Sequence, residues 1–207
     1  MRRAMVALAL FSGYARAGLC PSVSGPRNDL QLFAGYSPYS PTLIGTDSNR
    51  RFVLAGIDYS YRCRDFEHVS VSFTAGAMPA AIVLQPATIS YFGIAGLPPT
   101  SIEVRTPPHA VYGFGITPLG GSFEFARRRR LHPFLDFGLG LIASTEPVPE
   151  NVPDATGLNF LVIFGAGVRF KKITLGYKFV HISNAGTTDF NPGLDNGVIY
   201  AGYSLVR

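Results

Sequence analysis

The segment at residues 173–184 has the sequence ITLGYKFVHISN, and its alternation decides the fold. The odd-numbered positions are apolar up to Phe179 and then carry His181 and Ser183, whereas the even-numbered positions carry Lys178 and mostly small side chains. Because successive side chains of a β-strand point to opposite faces, His181 and Ser183 lie on the same side. The apolar face suits lipid contact, and the other face suits a polar barrel lumen. The segment therefore predicts a membrane-spanning strand with a histidine and a serine on its outer wall.

The same two-residue period recurs along the chain and predicts eight strands. They run approximately over 29–38, 50–63, 66–78, 109–126, 131–145, 157–170, 172–184 and 196–206. Long connections at 39–49, 79–108, 146–156 and 185–195 alternate with short ones at 64–65, 127–130 and 171. An up-and-down barrel has this pattern, with long loops outside and short turns in the periplasm. A secreted β-sandwich, the soluble alternative, does not require it. We predict an all-β protein, an eight-stranded antiparallel up-and-down transmembrane β-barrel of the outer membrane, with its interior filled by side chains.

The N-terminus predicts export. Arg2 and Arg3 precede a short apolar run, and Ala15-Arg16-Ala17 follows it, which is the pattern of a signal peptide at 1–17. Residues 18–207 then form a single β-barrel domain with a long 79–108 loop. A lipid anchor on Cys20 is the alternative, although Leu19 is large where a lipidation signal has a small residue. No stretch is long and apolar enough for a transmembrane helix, although 47% of the residues are hydrophobic.

The charge, cysteine and histidine content limits which ligands and which compartment the sequence predicts. The net charge is +5, and the run at 127–130 is a solvated turn or a site of attraction to lipid phosphates. Aromatic residues are not interleaved with a basic face, so we predict no nucleic-acid binding. Cys20 and Cys63 fall near the predicted periplasmic rim, in an oxidising compartment, either as a disulfide or as two free thiols. The four histidines lack metal-ligand spacing, so we predict no metal site and no cofactor.

The outer end of the seventh strand carries groups suited to ester hydrolysis. His181 and Ser183 pair a base with a hydroxyl, and Asp195 supplies an acid after a short loop. Asn184 and Gly186 place hydrogen-bond donors beside the serine. Nucleophile, base and orienting acid are the parts of a serine hydrolase. Because the seventh strand runs outward, the pair would lie at the outer leaflet, where the lipid is lipopolysaccharide.

These motifs resemble a known family. HISNAG at 181–186 followed by NPGLD at 191–195 resembles the C-terminal signature of the outer-membrane lipid A 3-O-deacylases, the PagL-like family. The segments 133–141 and 158–168 also resemble strands of that family, so the resemblance covers roughly 109–207. It implies an outer-membrane esterase that removes the 3-hydroxyacyl chain from the 3 position of lipid A. It also implies roles for five residues: Ser183 as nucleophile, His181 as general base, Asp195 as acid, and Asn184 with the backbone N–H of Gly186 as oxyanion hole.

The chain departs from the family pattern at the acid, and from many outer-membrane barrels at its C-terminus. The best-known members carry Glu at the position of Asp195, which is one methylene shorter, so either the backbone moves closer or the triad is loosened. Asp189 is a second candidate for the acid. The chain ends in Leu205-Val206-Arg207 rather than in an aromatic residue, although Tyr200 and Tyr203 are available as interfacial anchors.

Two other functions remain open from the sequence. A non-enzymatic small barrel for adhesion or membrane integrity would work through its long loops, and an outer-membrane phospholipase would use the same triad on another ester. The predicted partners are lipid A or lipopolysaccharide as substrate and the outer membrane. The sequence does not decide whether the protein forms a homodimer, or which acyl length it prefers.

Overall fold

The computed structural model is a closed antiparallel β-barrel, as the alternating pattern predicted. The structure describes residues 20, 23, 25–93, 101–126, 129–150, 152 and 154–206. Its strands are β1 (Asn28–Ser37), β2 (Arg51–Asp65), β3 (Val69–Gln85), β4 (Thr88–Gly93), β5 (Ser101–Thr106), β6 (His109–Phe125), β7 (Leu131–Val148), β8 (Thr156–Phe170), β9 (Ile173–Ser183) and β10 (Gly193–Val206). Eight of them close in the order β1-β10-β9-β8-β7-β6-β3-β2, and β4 and β5 form a separate two-stranded sheet. Closure leaves the barrel without an unpaired strand edge.

Three strands reach further than the sequence predicted, each at the end of the barrel that carries the long connections. β3 continues to Gln85, and the hairpin β4–β5 occupies part of what we predicted as a loop at 79–108. β7 continues to Val148. β10 already begins at Gly193, which pairs with Ser183, so Asp195 lies in a strand and not in the preceding loop. Pro79 and the Pro192-Gly193 pair are turn signals in isolation. Here Pro79 lies at an irregularity in the pairing of β3 with β6, and Pro192 lies immediately before β10.

The outer wall of the barrel is apolar. Large hydrophobic side chains are exposed along the membrane-facing side of the strands, which is the arrangement expected against lipid. Members of this belt are Leu32, Tyr36, Phe73, Tyr112, Phe114, Ile116, Leu119, Phe123, Leu135, Phe137, Leu139, Leu158, Phe164, Leu175, Tyr177, Ile199 and Tyr203.

The interior is filled in two layers. Near the short turns and up to mid-barrel it is polar: Lys178 binds Asp58 at 2.7 Å, and Arg169 binds Glu124. Towards the long connections it is apolar. This second layer consists of Phe52, Leu54, Val83, Val111, Ile142, Leu161, Ile163, Val180, Ile182, Leu194 and Val198. The predicted polar lumen is therefore present in only part of the barrel.

At the N-terminus, a disulfide joins Cys20 to Cys63 on β2, which decides between the two alternatives that the sequence left open. The predicted signal peptide and two arginines of the run at 127–130 lie outside the described residues. Across the described part of the chain, no helix is long and apolar enough to cross a membrane.

Candidate active site

Strand pairing brings His181 and Asp195 together. The two residues face each other across β9 and β10, and His181 Nδ1 lies 2.6 Å from Asp195 Oδ1. Ionised carboxylates only accept hydrogen bonds, so Nδ1 carries the proton and Nε2 of the neutral ring keeps its lone pair. Asp189, the second candidate acid, is exposed in the loop after β9 and has no such contact with His181 among the hydrogen bonds of the described residues.

His181 and Ser183 share the outward face of β9, as the sequence predicted. Earlier on this face, Leu175 and Tyr177 are 56% and 45% exposed. His181 and Ser183 are only 9% and 7% exposed, although they have the same orientation on the strand. The outer wall is therefore covered at this point, which places the two side chains in a sheltered site on the outside of the barrel.

The connection between β1 and β2 supplies part of this cover. The backbone N–H groups of Leu43, Ile44 and Gly45 all donate to Asp195 Oδ2, at 2.8, 2.7 and 2.8 Å. Asp195 itself is fully buried. Hydrogen bonds to an ionised group are among the stronger ones, and here they replace the water that the buried carboxylate has lost.

The same connection is attached to the start of β10. Thr46 N–H and Asp47 N–H donate to the carbonyl of Gly193 at 2.9 and 3.1 Å, and Gly193 N–H donates to Thr46 Oγ1 at 3.1 Å. Sequence reasoning missed this contribution from residues 43–47. Backbone amides are present in every residue except proline, so their role leaves no signature in the sequence.

Gly193 of the NPGLD motif lies between the imidazole and the β1–β2 connection. A Cβ added here would be 2.9 Å from His181 Cε1 and 3.2 Å from the Cα of Gly45. His181 Nε2 would be 3.6 Å away, so the free edge of the ring is directed towards Gly193, the register partner of Ser183. A glycine is required at this position because the two elements approach each other too closely for a side chain.

The predicted oxyanion donors hydrogen-bond within their own loop. Gly186 N–H donates to Asn184 Oδ1 at 2.8 Å. The Asn184 amide Nδ2 lies within hydrogen-bond distance of the carbonyls of Asp154 and Phe190, at 3.1 and 3.0 Å, and of Thr188 Oγ1. Asn184 thus ties the loop after β9 to the one before β8. To donate to an oxyanion, the Asn184 side-chain amide and the Gly186 N–H would each have to give up a hydrogen bond within this loop. Their catalytic role therefore stays a prediction.

A second cluster of titratable groups lies at the long-connection end of β6 and β7. His109 Nε2 lies 2.6 Å from Glu150 Oε2 and 3.4 Å from Glu146 Oε2. These three form the only group in the described part of the chain whose ligand atoms are close enough for a metal ion. The spacing of the histidines could not reveal it, because its other members are carboxylates from β7 and the connection that follows it. The two contacts are ion pairs when the His109 imidazole is protonated.

Comparison with known proteins identifies the family. The family model described as "Lipid A 3-O-deacylase (PagL)" matches residues 86–204, which is more than half of the 207 residues. The chain belongs to the lipid A 3-O-deacylase (PagL) family. Membership confirms an ester hydrolase acting on lipid A and an outer-membrane β-barrel, as the HISNAG and NPGLD motifs led us to expect. No curated protein matches the chain significantly in sequence.

The chain is also similar to solved structures, and the outer membrane enzyme PagL agrees with it in fold. The outer membrane enzyme PagL superposes with a TM-score of 0.58 at 16% identity, covering 84% of this chain and 98% of that one. Neisserial surface protein A gives a TM-score of 0.48 at 11% identity, covering 86% and 95%. The N-terminal barrel domain of Pseudomonas aeruginosa OprF gives 0.42 at 12% identity, covering 86% and 98%.

Proposed function

We propose that this PagL-family deacylase cleaves the 3-position ester of lipid A with Ser183 as nucleophile, His181 as general base and Asp195 as orienting acid. The observation that carries the proposal is the 2.6 Å contact between His181 Nδ1 and Asp195 Oδ1, with Ser183 two residues along on the same face. This contact fixes the tautomer in which Nε2 is free to take the serine proton. It also stabilises the imidazolium that forms when the proton arrives.

The reaction would proceed through an acyl-enzyme. Ser183 Oγ attacks the ester carbonyl while its proton moves to His181 Nε2, giving a tetrahedral intermediate with an oxyanion. Collapse breaks the bond to the sugar oxygen, which takes the proton from His181. A water then attacks the acyl-serine, again with His181 as base, and releases the 3-hydroxy fatty acid. Asn184 and the N–H of Gly186 are the donors we propose for the oxyanion.

The outward position of the site fits a lipid substrate. The triad lies on the wall that carries the exposed apolar belt, not in the filled lumen. A lipid in the same leaflet would approach Ser183 from the side of the barrel and would not have to enter the lumen. We propose lipid A of the outer leaflet as this substrate.

Mass spectrometry of lipid A tests the proposal. The chain would be expressed in a Gram-negative host, beside the variants Ser183→Ala, His181→Ala and Asp189→Asn. We expect loss of one 3-hydroxyacyl mass with the parent chain and with Asp189→Asn, and unchanged lipid A with the other two. Full deacylation by Ser183→Ala in a correctly inserted barrel would refute the proposed nucleophile. Release of fatty acid from phospholipids at an equal rate would refute the proposed substrate.

A further inference from the structure

We propose that the β1–β2 connection is a positioning element of the active site. In this inference, which rests on the proposed triad, the backbone N–H groups of residues 43–45 hold Asp195 in the orientation that its contact with His181 requires. Gly45 is the residue that lets the connection come close enough. This goes beyond the family match, because residues 43–45 lie outside the segment 86–204 that the family model covers.

The two carboxylate oxygens of Asp195 have separate partners. Oδ2 receives the three N–H groups of Leu43, Ile44 and Gly45, and Oδ1 receives His181 Nδ1. Successive backbone N–H groups that converge on one oxygen form an anion-binding concavity. Because Oδ2 is held from one side, the carboxylate plane is fixed and Oδ1 is directed at the imidazole. A carboxylate without these donors would be an unsolvated charge on an apolar wall and would turn towards water.

The connection is held by contacts that do not involve Asp195. Besides the bonds between Thr46, Asp47 and Gly193, it contains an ion pair between Arg50 Nη2 and Asp47 Oδ2 at 3.0 Å. Arg50 is 8% exposed, and its Nη1 also donates to the carbonyl of Ser48 at 3.0 Å. The N–H groups are therefore presented by a structured segment, which is what preorganisation of a catalytic group requires.

Gly45 is the point of closest approach. A Cβ at this position would lie 2.6 Å from the carbonyl oxygen of Gly193, 2.9 Å from its carbon and 3.1 Å from Asp195 N. All three atoms belong to the backbone of β10, which cannot move without disturbing the strand pairing. A side chain at 45 would push the connection away from β10, and its N–H groups away from Asp195.

The inference also explains how an aspartate serves where family members carry glutamate. The shorter side chain keeps its carboxylate close to the backbone of β10. The N–H groups of the β1–β2 connection donate to the carboxylate at this position. The 2.6 Å contact shows that the Asp195 carboxylate reaches the imidazole in spite of its shorter side chain.

A double-mutant cycle tests the inference. We would measure kcat and KM on lipid A in mixed micelles for the parent chain, Gly45→Ala, Asp195→Asn and the double variant. The control is Gly138→Ala, whose added Cβ has its nearest neighbours at 3.7 Å and is remote from the triad. Heat-modifiable gel mobility would verify that each barrel is folded.

We expect Gly45→Ala to lower kcat by about tenfold to 100-fold with little change in KM, because small displacements of catalytic groups cost this much. In the Asp195→Asn background the same substitution should change kcat by less than about twofold, since coupled residues are not additive. Gly138→Ala should match the parent. Equal losses in both backgrounds, or an unchanged kcat for Gly45→Ala, would overturn the inference.

The failure of the proposed triad is distinguishable from this result. If Asp195→Asn alone retained the parental kcat, the acid would be misassigned whatever Gly45→Ala did. Should Gly45→Ala not fold, Thr46→Val replaces it in the cycle, because it removes only the hydroxyl that accepts from Gly193 N–H. We expect Thr46→Val to lower kcat several-fold in the parent and to have no further effect beside Asp195→Asn. Additive losses would again overturn the inference.

Discussion

At the scale of single residues, the site depends on how both oxygens of one carboxylate are used. Asp195 accepts three backbone N–H groups on Oδ2 and the imidazole on Oδ1, and it is fully buried. Four hydrogen-bond partners stabilise the buried carboxylate and fix its orientation. The imidazole it holds is thereby fixed relative to Ser183.

The length of this side chain gives the first prediction. Asp195→Glu adds a methylene, so its carboxylate cannot keep both the N–H donors and the imidazole in place. We expect kcat to fall by roughly tenfold, against roughly 10⁴-fold for Asp195→Asn, where the amide favours the wrong imidazole tautomer. Steady-state release of 3-hydroxy fatty acid measures both. If Asp195→Glu were faster than the parent, the close fit described here would be incorrect.

Gly193 gives the second prediction. Gly193→Ala places a methyl group 2.9 Å from His181 Cε1, so the ring must rotate away from its contact with Asp195. We expect kcat to fall by about 100-fold with the barrel still folded, as judged by gel mobility. Gly165→Ala is the matched control, because its nearest contact would be an ordinary 3.4 Å. A Gly193→Ala variant with parental kcat would contradict the assigned ring position.

From the sequence, only the parts of this site that depend on side chains could be predicted. The two-residue period places His181 and Ser183 on one outward face, and the motif at 191–195 supplies the acid. The donors to Asp195 could not be predicted, because main-chain N–H groups look alike in any sequence. The close approach of Gly193 to His181 and Gly45 could not be predicted either, since a Pro-Gly pair also fits an ordinary turn.

At the scale of elements, strand pairing sets the register that the chemistry needs. β9 and β10 pair so that His181 faces Asp195 and Ser183 faces Gly193. Slippage by one residue would turn Asp195 into the lumen, because side chains alternate between faces. The sequence placed the start of β10 at residue 196 and left Asp195 in a loop, since turn-forming residues precede it. Contacts with the β1–β2 connection extend the strand instead.

The lumen ion pair of Lys178 on β9 with Asp58 on β2 gives the third prediction. Lys178 also lies 4.0 Å from the ring centroid of Phe33, and its side chain is 7% exposed. Lys178→Met leaves Asp58 without its cation, and we expect the free energy of unfolding to fall by about 3 kcal/mol. Urea unfolding in detergent micelles measures this change.

Asp58→Asn together with Lys178→Met is the control for that prediction. Removing both charges should restore part of the lost stability, because the charge of Asp58 is then no longer left without its cation. The kcat of all these variants should stay within about twofold of the parent, since the pair is outside the site. An unfolding free energy unchanged by Lys178→Met would show that the pair is not significant for stability.

At the scale of the whole molecule, a disulfide lies at one end of the barrel and the proposed triad at the other. The disulfide between Cys20 and Cys63 spans 43 residues near the short turns, whereas the triad lies at the end with the long connections. The sequence predicted the closed barrel from alternating loop lengths. It did not predict the hairpin β4–β5, because the segment is rich in proline and alanine and shows no clear two-residue period.

This separation gives the fourth prediction. Replacing both cysteines by serine frees a loop of 43 residues in the unfolded chain, which lowers the free energy of unfolding by about 2–4 kcal/mol. We expect the urea midpoint to fall and the kcat on lipid A to stay unchanged. A lost kcat with a fully folded barrel would show that the two ends are coupled, contrary to this account.

Covalent labelling tests the central claim, that Ser183 is an activated nucleophile on the outer wall, most directly. The folded protein in detergent would be treated with a lipophilic fluorophosphonate, and the intact mass and peptides would be measured. The account predicts a single adduct on Ser183, strongly reduced in His181→Ala. No adduct on Ser183 in a preparation that deacylates lipid A, or an adduct on another residue, would contradict it.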